Sequence, residues 1–461
     1  IAGTFALAQV QGGALRYAHA YLVTPPRVAA VPQLSASAAA RAALEDARAF
    51  AVAASESLQP VQEVVFYVGD AAHLAWQVDL RTEGPDATWQ IFVDARSGAV
   101  LGRHKTSMTA VSGTVYGNIE PACQGDAPQR VALPHLTWAP GSFTDAEGHF
   151  SSDGDVRKAR VNMHGRYFKL RTLSLRPKKW EVPLAAVPAD NEVVLEDAPL
   201  GLVDPYVHAH TARDWARGRL GALSGTAAER TLAWTEAPVQ VIVNFGLMRC
   251  NAAYMPIMGG LLAFFPGQKG TCNNAGQVAK VVYHEYGHGV HHHLSGMQQF
   301  DLQISEGAGD YVASTITNNP DMTGLISCKE PLPTGNKRMQ RTCANHYTYC
   351  KERGTCDTFA GEEAHTTAPV VCGAFWDLRE SLIARYGANE GVRQADTLFL
   401  KFLSLSTNLD GIYSAAIAAD EDDDGDPKNG TKHSCEINAA FLGEGAGLTA
   451  HFPDAKLDRV P

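Results

Sequence analysis

The chain has 461 residues, of which 45% are hydrophobic and 19% charged, and its formal net charge is −10. That length exceeds what one core organises and points to two or three domains, and the composition is that of a folded chain, which excludes a disordered polymer. The acidic balance and the lack of a Lys/Arg stripe argue against nucleic acid as a partner, and the apolar runs at 259–265 and 369–376 are far shorter than the ~18 residues a membrane span needs.

The chain opens on Ile1 with no charged-then-apolar leader ahead of it, as a processed, exported protein would. Nine cysteines show none of the paired spacing of a zinc knuckle, so disulfides and a secreted, extracellular location are expected. An odd count leaves one thiol unpaired. Cys372, set among Val370, Val371, Phe375 and Trp376, is expected to be that thiol, acting as a small apolar residue. Cys250 with Cys272, and pairs within 328–356, would close the shortest loops.

In chain order, Ser35 followed by an Ala-rich run with Leu44, Ala47, Phe50 and Ala51 predicts an N-capped amphipathic helix over 35–54. Antiparallel strands are predicted over 61–68, 74–80 (Leu74, Trp76, Val78 and Leu80 alternating) and 89–93, with turns at 83–86 and 97–98. The helix and hairpins, ending in the stretch 91–101, resemble the PepSY-type propeptide found ahead of thermolysin-like and fungalysin-like proteases. The resemblance covers about residues 40–105. It implies a propeptide over 1–108 that assists folding and blocks a catalytic cleft until it is cut within 103–112, where Arg103 and Lys105 suit a trypsin-like or self-processing event. The alternative is a small α+β domain with some other binding role.

From Val111 the pattern changes to short β segments at 111–116, 159–163, 167–170 and 193–195, with a turn at 145–148, a spacing that suggests a β-sandwich over 109–195. Residues 143–150 resemble the strand-turn-strand of carboxypeptidase-regulatory-like or bacterial immunoglobulin-like modules, which implies a spacer or docking role. Helical patterns take over after 196, beginning with 205–219, where His208 and His210 occur. The fold class expected is therefore multidomain α+β, with a mainly helical C-terminal domain over 196–461.

That last region holds the chemistry. His284 and His288 stand one helical turn apart, so both imidazoles can face one metal from a single helix, and Glu285 can reach a water on that metal without ligating it. Val278, Val281 and Val282 continue the apolar stripe into the His face, as a buried active-site helix requires. A third ligand is needed. The metzincin layout would put a His at position 294, which is Leu294; a carboxylate from the next helix, Glu306, is the other layout, with Asp310 one turn beyond it to accept the outer N–H of a ligating ring. His292 lies one turn past His288, but a fourth protein ligand would close the site, so His291, His292 and His293 are read as surface or supporting residues.

These two segments resemble the gluzincin peptidases, nearest to fungalysin-like members, over about residues 200–445. The resemblance implies a zincin catalytic domain with an edge-strand sheet, zinc held by His284, His288 and Glu306, Glu285 as general base, and Asp310 as partner of His284. Asn251 and Ala252 match the edge-strand positions that bind substrate backbone, an ordinary core strand being the alternative. His365 matches the residue that stabilises the reaction's oxyanion, although Ala368-Pro369 follow it where the family shows smaller residues or Gly.

Asp420, Asp422 and Asp424 open an acidic run like a calcium loop, but position twelve is Thr431 where an EF-hand requires Glu, leaving a looser calcium site or a solvated loop. The resulting expectation is a secreted zinc endopeptidase made as a zymogen, acting on protein or peptide substrates, with its own propeptide as inhibitor. The rival is a catalytically silent binding or adhesion protein with a structural zinc.

Overall fold

The computed structural model describes residues 5–11, 14–21, 31–48, 54–55, 60–68, 71–82, 88–105, 111–152, 156–172, 179–185, 190–196, 198, 201–246, 248–296, 301–322, 328, 340–354, 356–359, 361–406, 408–421, 431–445 and 447–458. The chain divides into two compact units. One comprises 1–111 with the short stretches 152–156 and 186–188, and the other comprises 112–151, 157–185 and 189–461.

In the first unit the predicted helix runs over Ala36–Ala47 (α1), and the Ser35 hydroxyl accepts from the Ala38 N–H at 3.3 Å. Ala39, Ala43 and Ala47 recur on one face, and their small side chains bring the helix down on Val78, Leu80, Ile91 and Val93 of the sheet, all of them buried. The sheet is antiparallel, in the order Ala54–Ser55, Ala71–Thr82, Thr88–Asp94, Val100–Lys105, with Gln62–Val68 also pairing with Ala71–Thr82. A further hairpin, Phe5–Gln11 with Ala14–Tyr21, was not legible in the sequence. The turn expected at 83–86 and residues 106–110 of the expected processing region lie outside the described residues. Arg103 is in the last strand of that sheet, and its guanidinium contacts both oxygens of Asp46.

The second unit joins what the sequence pattern separated. Phe168–Thr172, expected in a central sandwich, runs parallel to Val239–Val243 of the expected C-terminal domain. The sheet continues with Leu261–Phe264, parallel, and ends on Ala252–Met255, antiparallel, so that Ala252–Met255 is its edge. Residues 112–195 therefore do not stand as a sandwich of their own: their other strands form small sheets, Val111–Ile119 pairing with Gln129–Ala132, His149–Ser152 and Asp190–Val194, and Lys158–Asn162 with Lys179–Pro183. Val239, Val241 and Val243 are buried on one side while Gln240 and Ile242 alternate with them, the pleat that β-branched residues favour.

The helices are α2 (Val203–Leu220), α3 (Thr226–Glu236), α4 (Ala279–Ser295), α5 (Leu302–Thr317), α6 (Ala364–Tyr386), α7 (Ala388–Leu405), α8 (Ile412–Ala419) and α9 (Ser434–Leu442). α5 begins at Asp301, whose carboxylate accepts from the N–H groups of Gln303 and Ile304, and stops at Asn318, which takes the left-handed conformation at φ 49. It packs between α4 and α6. Its far end is fixed by the fully buried carboxylate of Asp396 on α7. That group accepts from Tyr311 at 3.1 Å and Thr315 at 2.8 Å on α5, and from Trp215 at 2.9 Å and Arg219 at 3.2 Å on α2.

Four disulfides link Cys123–Cys328, Cys250–Cys272, Cys343–Cys372 and Cys350–Cys356, and the free thiol is the exposed Cys435. Cys372 is thus not the unpaired residue. Its apolar neighbours on α6 bury it as expected, but the segment around Cys343 crosses that face at a Cα separation of 5.0 Å, a proximity no local pattern encodes.

Asp396→Ala strips one acceptor from four donors and leaves the buried Tyr311 and Thr315 hydroxyls without it; we expect urea unfolding to show a loss of about 3 kcal/mol, and a loss well under 1 kcal/mol would mean that the hub is not structural. His208 and His210 of α2 are buried, and burial pulls their rings down to about 4 and about 3. An unfolded imidazole titrates near 6.5, so the unfolded chain takes up protons first. Stability is complete above pH ~6.5 and falls as the pH drops toward 4, by up to about 1.4 kcal/mol per pH unit for each ring. Urea midpoints at pH 7 and pH 5 measure this, and His210→Leu should flatten the dependence.

Candidate metal and catalytic site

α4 carries His284, Glu285 and His288 in a row of buried side chains, and α5 presents Glu306 opposite them. One Glu306 oxygen is 3.3 Å from His284 Nε2 and the other 3.6 Å from His288 Nε2. Glu285 also has an oxygen within 4.8 Å of a ring nitrogen of each histidine, but Glu306 takes the nearer position. Behind the rings, His284 Nδ1 lies 2.9 Å from Asp310 Oδ1, an ion-pair contact, and His288 Nδ1 is hydrogen-bonded to the Ser305 hydroxyl at 2.7 Å. Those contacts turn both Nε2 atoms toward one place beside a carboxylate, where a bound cation would replace the proton on His284. Two imidazole nitrogens and a carboxylate oxygen are the donor set that zinc prefers, with the rings oriented from behind.

The electrostatics fit a cation at that place. Burial alone would depress the His284 ring, but hydrogen bonding to Asp310 and Glu306 together with their charge overcomes this and raises it to about 10. The same surroundings therefore stabilise positive charge beside the two carboxylates. Burial, with the positive His284 beside it, pulls His288 down to about 3, which keeps that ring neutral and available as a ligand. Glu306 is held well below the usual carboxylate range: burial opposes ionisation, and the hydrogen bond and charge of His284 more than offset it. The Glu285 carboxyl is pushed the other way, up to about 7, chiefly by burial.

The geometry requires α4 and α5 to approach closely. A Cβ on Gly309 would lie 2.5 Å from His284 Nδ1, so only the absence of a side chain lets that ring lie over α5. Gly287 meets Gly309 across the same contact, and a Cβ on Gly307 would collide with Val371 of α6.

A cleft of about 410 Å³ opens on these residues, lined on one side by Asn251, Ala252, Ala253 and Tyr254 of the sheet edge and on the other by His365 and Arg341. The structure thus brings Asn251, Ala252, Glu285 and His365 to the same cleft as the three proposed ligands. His365 Nε2 is 3.3 Å from Glu306 Oε2, and its Nδ1 contacts Glu363, which also caps α6 by accepting from the His365 N–H at 3.1 Å. α6 continues past Pro369, whose missing N–H lies one turn beyond His365. His291 and His292 are buried, not surface residues; His292 is turned to the Tyr254 hydroxyl, with Nδ1 at 3.1 Å, and His293 stacks on Trp234.

Sequence reasoning missed Arg341, whose guanidinium grips Asp310 at 2.9 and 2.8 Å and reaches Glu306 at 3.4 Å. Nothing near it in sequence marks it, because the contact depends on how a distant segment returns to α5. Ser305 was within reach, being the neighbour of Glu306 on the same helix. Of the candidate calcium residues, Asp422 and Asp424 lie outside the described residues. Asp420 is buried, and its oxygens take the backbone N–H and ring Nδ1 of His433.

No protein-family profile and no curated protein matches the chain. Among solved structures, the precursor of protealysin, a metalloproteinase from Serratia proteamaculans, is similar at 14% identity and a TM-score of 0.40, over 60% of this chain and 86% of that one. A likeness at that level carries no argument about function.

Gly309→Ala should push the His284 ring off α5 and separate it from Glu306. We expect zinc affinity, measured by competition with a chelating dye, to fall at least about tenfold; an unchanged affinity would show that the two helices can part without disturbing the donor set.

Proposed function

We propose that the chain is a secreted zinc metalloendopeptidase made as a zymogen, with His284, His288 and Glu306 holding the metal. The observation that carries this reading is the meeting of two Nε2 atoms and one carboxylate beside the buried Glu285, in a cleft whose wall is the edge of a sheet. When bound, zinc supplies Lewis acidity, polarising a carbonyl and lowering the pKa of water toward about 7.

The chain's own side chains do the rest. Ala252–Met255 offers an unpaired edge against which an extended peptide can form backbone hydrogen bonds, with the Asn251 side chain at its start. Glu285 removes a proton from the attacking water and returns it to the leaving amine nitrogen; a carboxyl held up to about 7 suits a group that must both accept and release a proton near neutrality. His365, on the first turn of α6 and steadied by Glu363, turns from its contact with Glu306 to donate from Nε2 to the oxygen that gains negative charge. Asp310 and Ser305 fix the tautomers of the two ligating rings.

The α+β unit at the N-terminus is, on this reading, the propeptide of residues 1–108, which assists folding and blocks the cleft until cut. Four disulfides support an oxidising, extracellular setting, and among the described residues no helix is long and apolar enough to cross a membrane.

Glu285→Gln preserves shape and removes only the proton acceptor. After limited proteolysis to release the N-terminal unit, it should keep one zinc per chain and its thermal midpoint while casein hydrolysis drops roughly 10²–10⁴-fold. Hydrolysis equal to that of the wild type would remove Glu285 from the mechanism, and zinc binding without any hydrolysis by the wild type would favour a silent binding protein.

A further inference from the structure

The segment 340–345 reaches the site without belonging to a helix or strand, and is tied to its surroundings by a bridge between Asp321 and Thr342, by hydrogen bonds and by the disulfide of Cys343. Met322 N–H donates to the Arg341 carbonyl at 2.9 Å, and Cys343 N–H donates to that of Pro320 at 2.8 Å. The Arg341 side chain nevertheless makes a two-pronged contact with Asp310, which in turn touches His284 Nδ1. A long side chain loses much rotamer freedom when locked in such a fork, and Arg341 is 24% exposed even when paired, so water competes for its guanidinium.

Two residues along, Cys343 is fully buried and bonded to Cys372 in the middle of α6, with its sulfur against Ser314 and the Asp310 carbonyl on α5. We propose that the Cys343–Cys372 disulfide is a positioning device for the metal site: it holds Arg341 on Asp310, so that Asp310 stays against His284 and the guanidinium does not swing onto Glu306. The inference rests on the zinc reading above.

The balance it controls is visible in the distances. Arg341 lies at 2.8 and 2.9 Å from Asp310 but at 3.4 Å from Glu306 Oε2, the oxygen that also faces His284 Nε2. A guanidinium free to move onto Glu306 would compete with the metal for the one carboxylate in the donor set. Anchoring the backbone two residues away, at a Cα separation of 5.0 Å from α6, limits that motion. Cys350–Cys356 closes a short surface loop, with no link to α5 among the described residues, and provides the control.

The test measures zinc dissociation constants of the full chain by competition with a fluorescent chelator. Cys343→Ala with Cys372→Ala, and Arg341→Met, are each expected to weaken zinc binding about tenfold, and the triple variant should bind no more weakly than Arg341→Met, because both changes remove the same contact. Cys350→Ala with Cys356→Ala should lower the thermal midpoint and leave zinc affinity unchanged. Affinity within twofold of wild type after loss of Cys343–Cys372, or losses that multiply in the triple variant, overturns the proposal. Should the Cys343→Ala, Cys372→Ala variant fail to fold, Cys343→Ser with Cys372→Ser is measured in its place: a tenfold loss supports the proposal and affinity within twofold of wild type overturns it. A wild-type chain that binds no zinc defeats the functional reading itself, whereas tight wild-type binding with unaffected variants defeats only this inference.

Discussion

The site depends on how closely α4 and α5 can lie. An imidazole from one helix and a carboxylate from the next can share a cation only if their backbones approach to within a side chain's reach, and at the point of contact that leaves no room for a Cβ. Gly309 beneath the His284 ring satisfies this, with Gly287 facing it from α4. The glycines cost helix propensity, roughly 1 kcal/mol each relative to alanine, and tertiary packing offsets the loss: α5 is capped by Asp301, held at its far end by Asp396, and covered on its other side by α6.

The second constraint is charge. Three carboxylates, Glu285, Glu306 and Asp310, are buried within one small region, which is costly unless each has a partner. They divide according to partner. Glu306 and Asp310 face His284 and Arg341 and are held ionised, whereas burial dominates at Glu285 and lifts its carboxyl to about 7. Neighbouring acids in one cleft thus acquire different protonation behaviour, the separation that acid–base chemistry needs.

The stretch before α2 contributes directly to the framework of this site. Phe168–Thr172 completes the sheet whose opposite edge lines the cleft, so residues expected to form an independent spacer are structurally inseparable from the cleft wall. The cross-links act similarly: Cys123–Cys328 joins residues 205 positions apart, and Cys343–Cys372 ties the stretch around Cys343 onto α6.

The sequence by itself determined the elements whose signals are local. The cap and alternating strands around α1, the helical spacing of His284 and His288, and the register of Glu306 with Asp310 all follow from periods of two and 3.6 residues, which any window of the chain displays. Only the tertiary structure decided that 168–172 joins the cleft sheet, that Cys372 is paired and Cys435 free, that His291 and His292 are buried, and that Arg341 stands behind Asp310. Each of these depends on which distant surfaces come within a few ångströms of one another, and that is set by packing over the whole unit, where no short-range period carries the information.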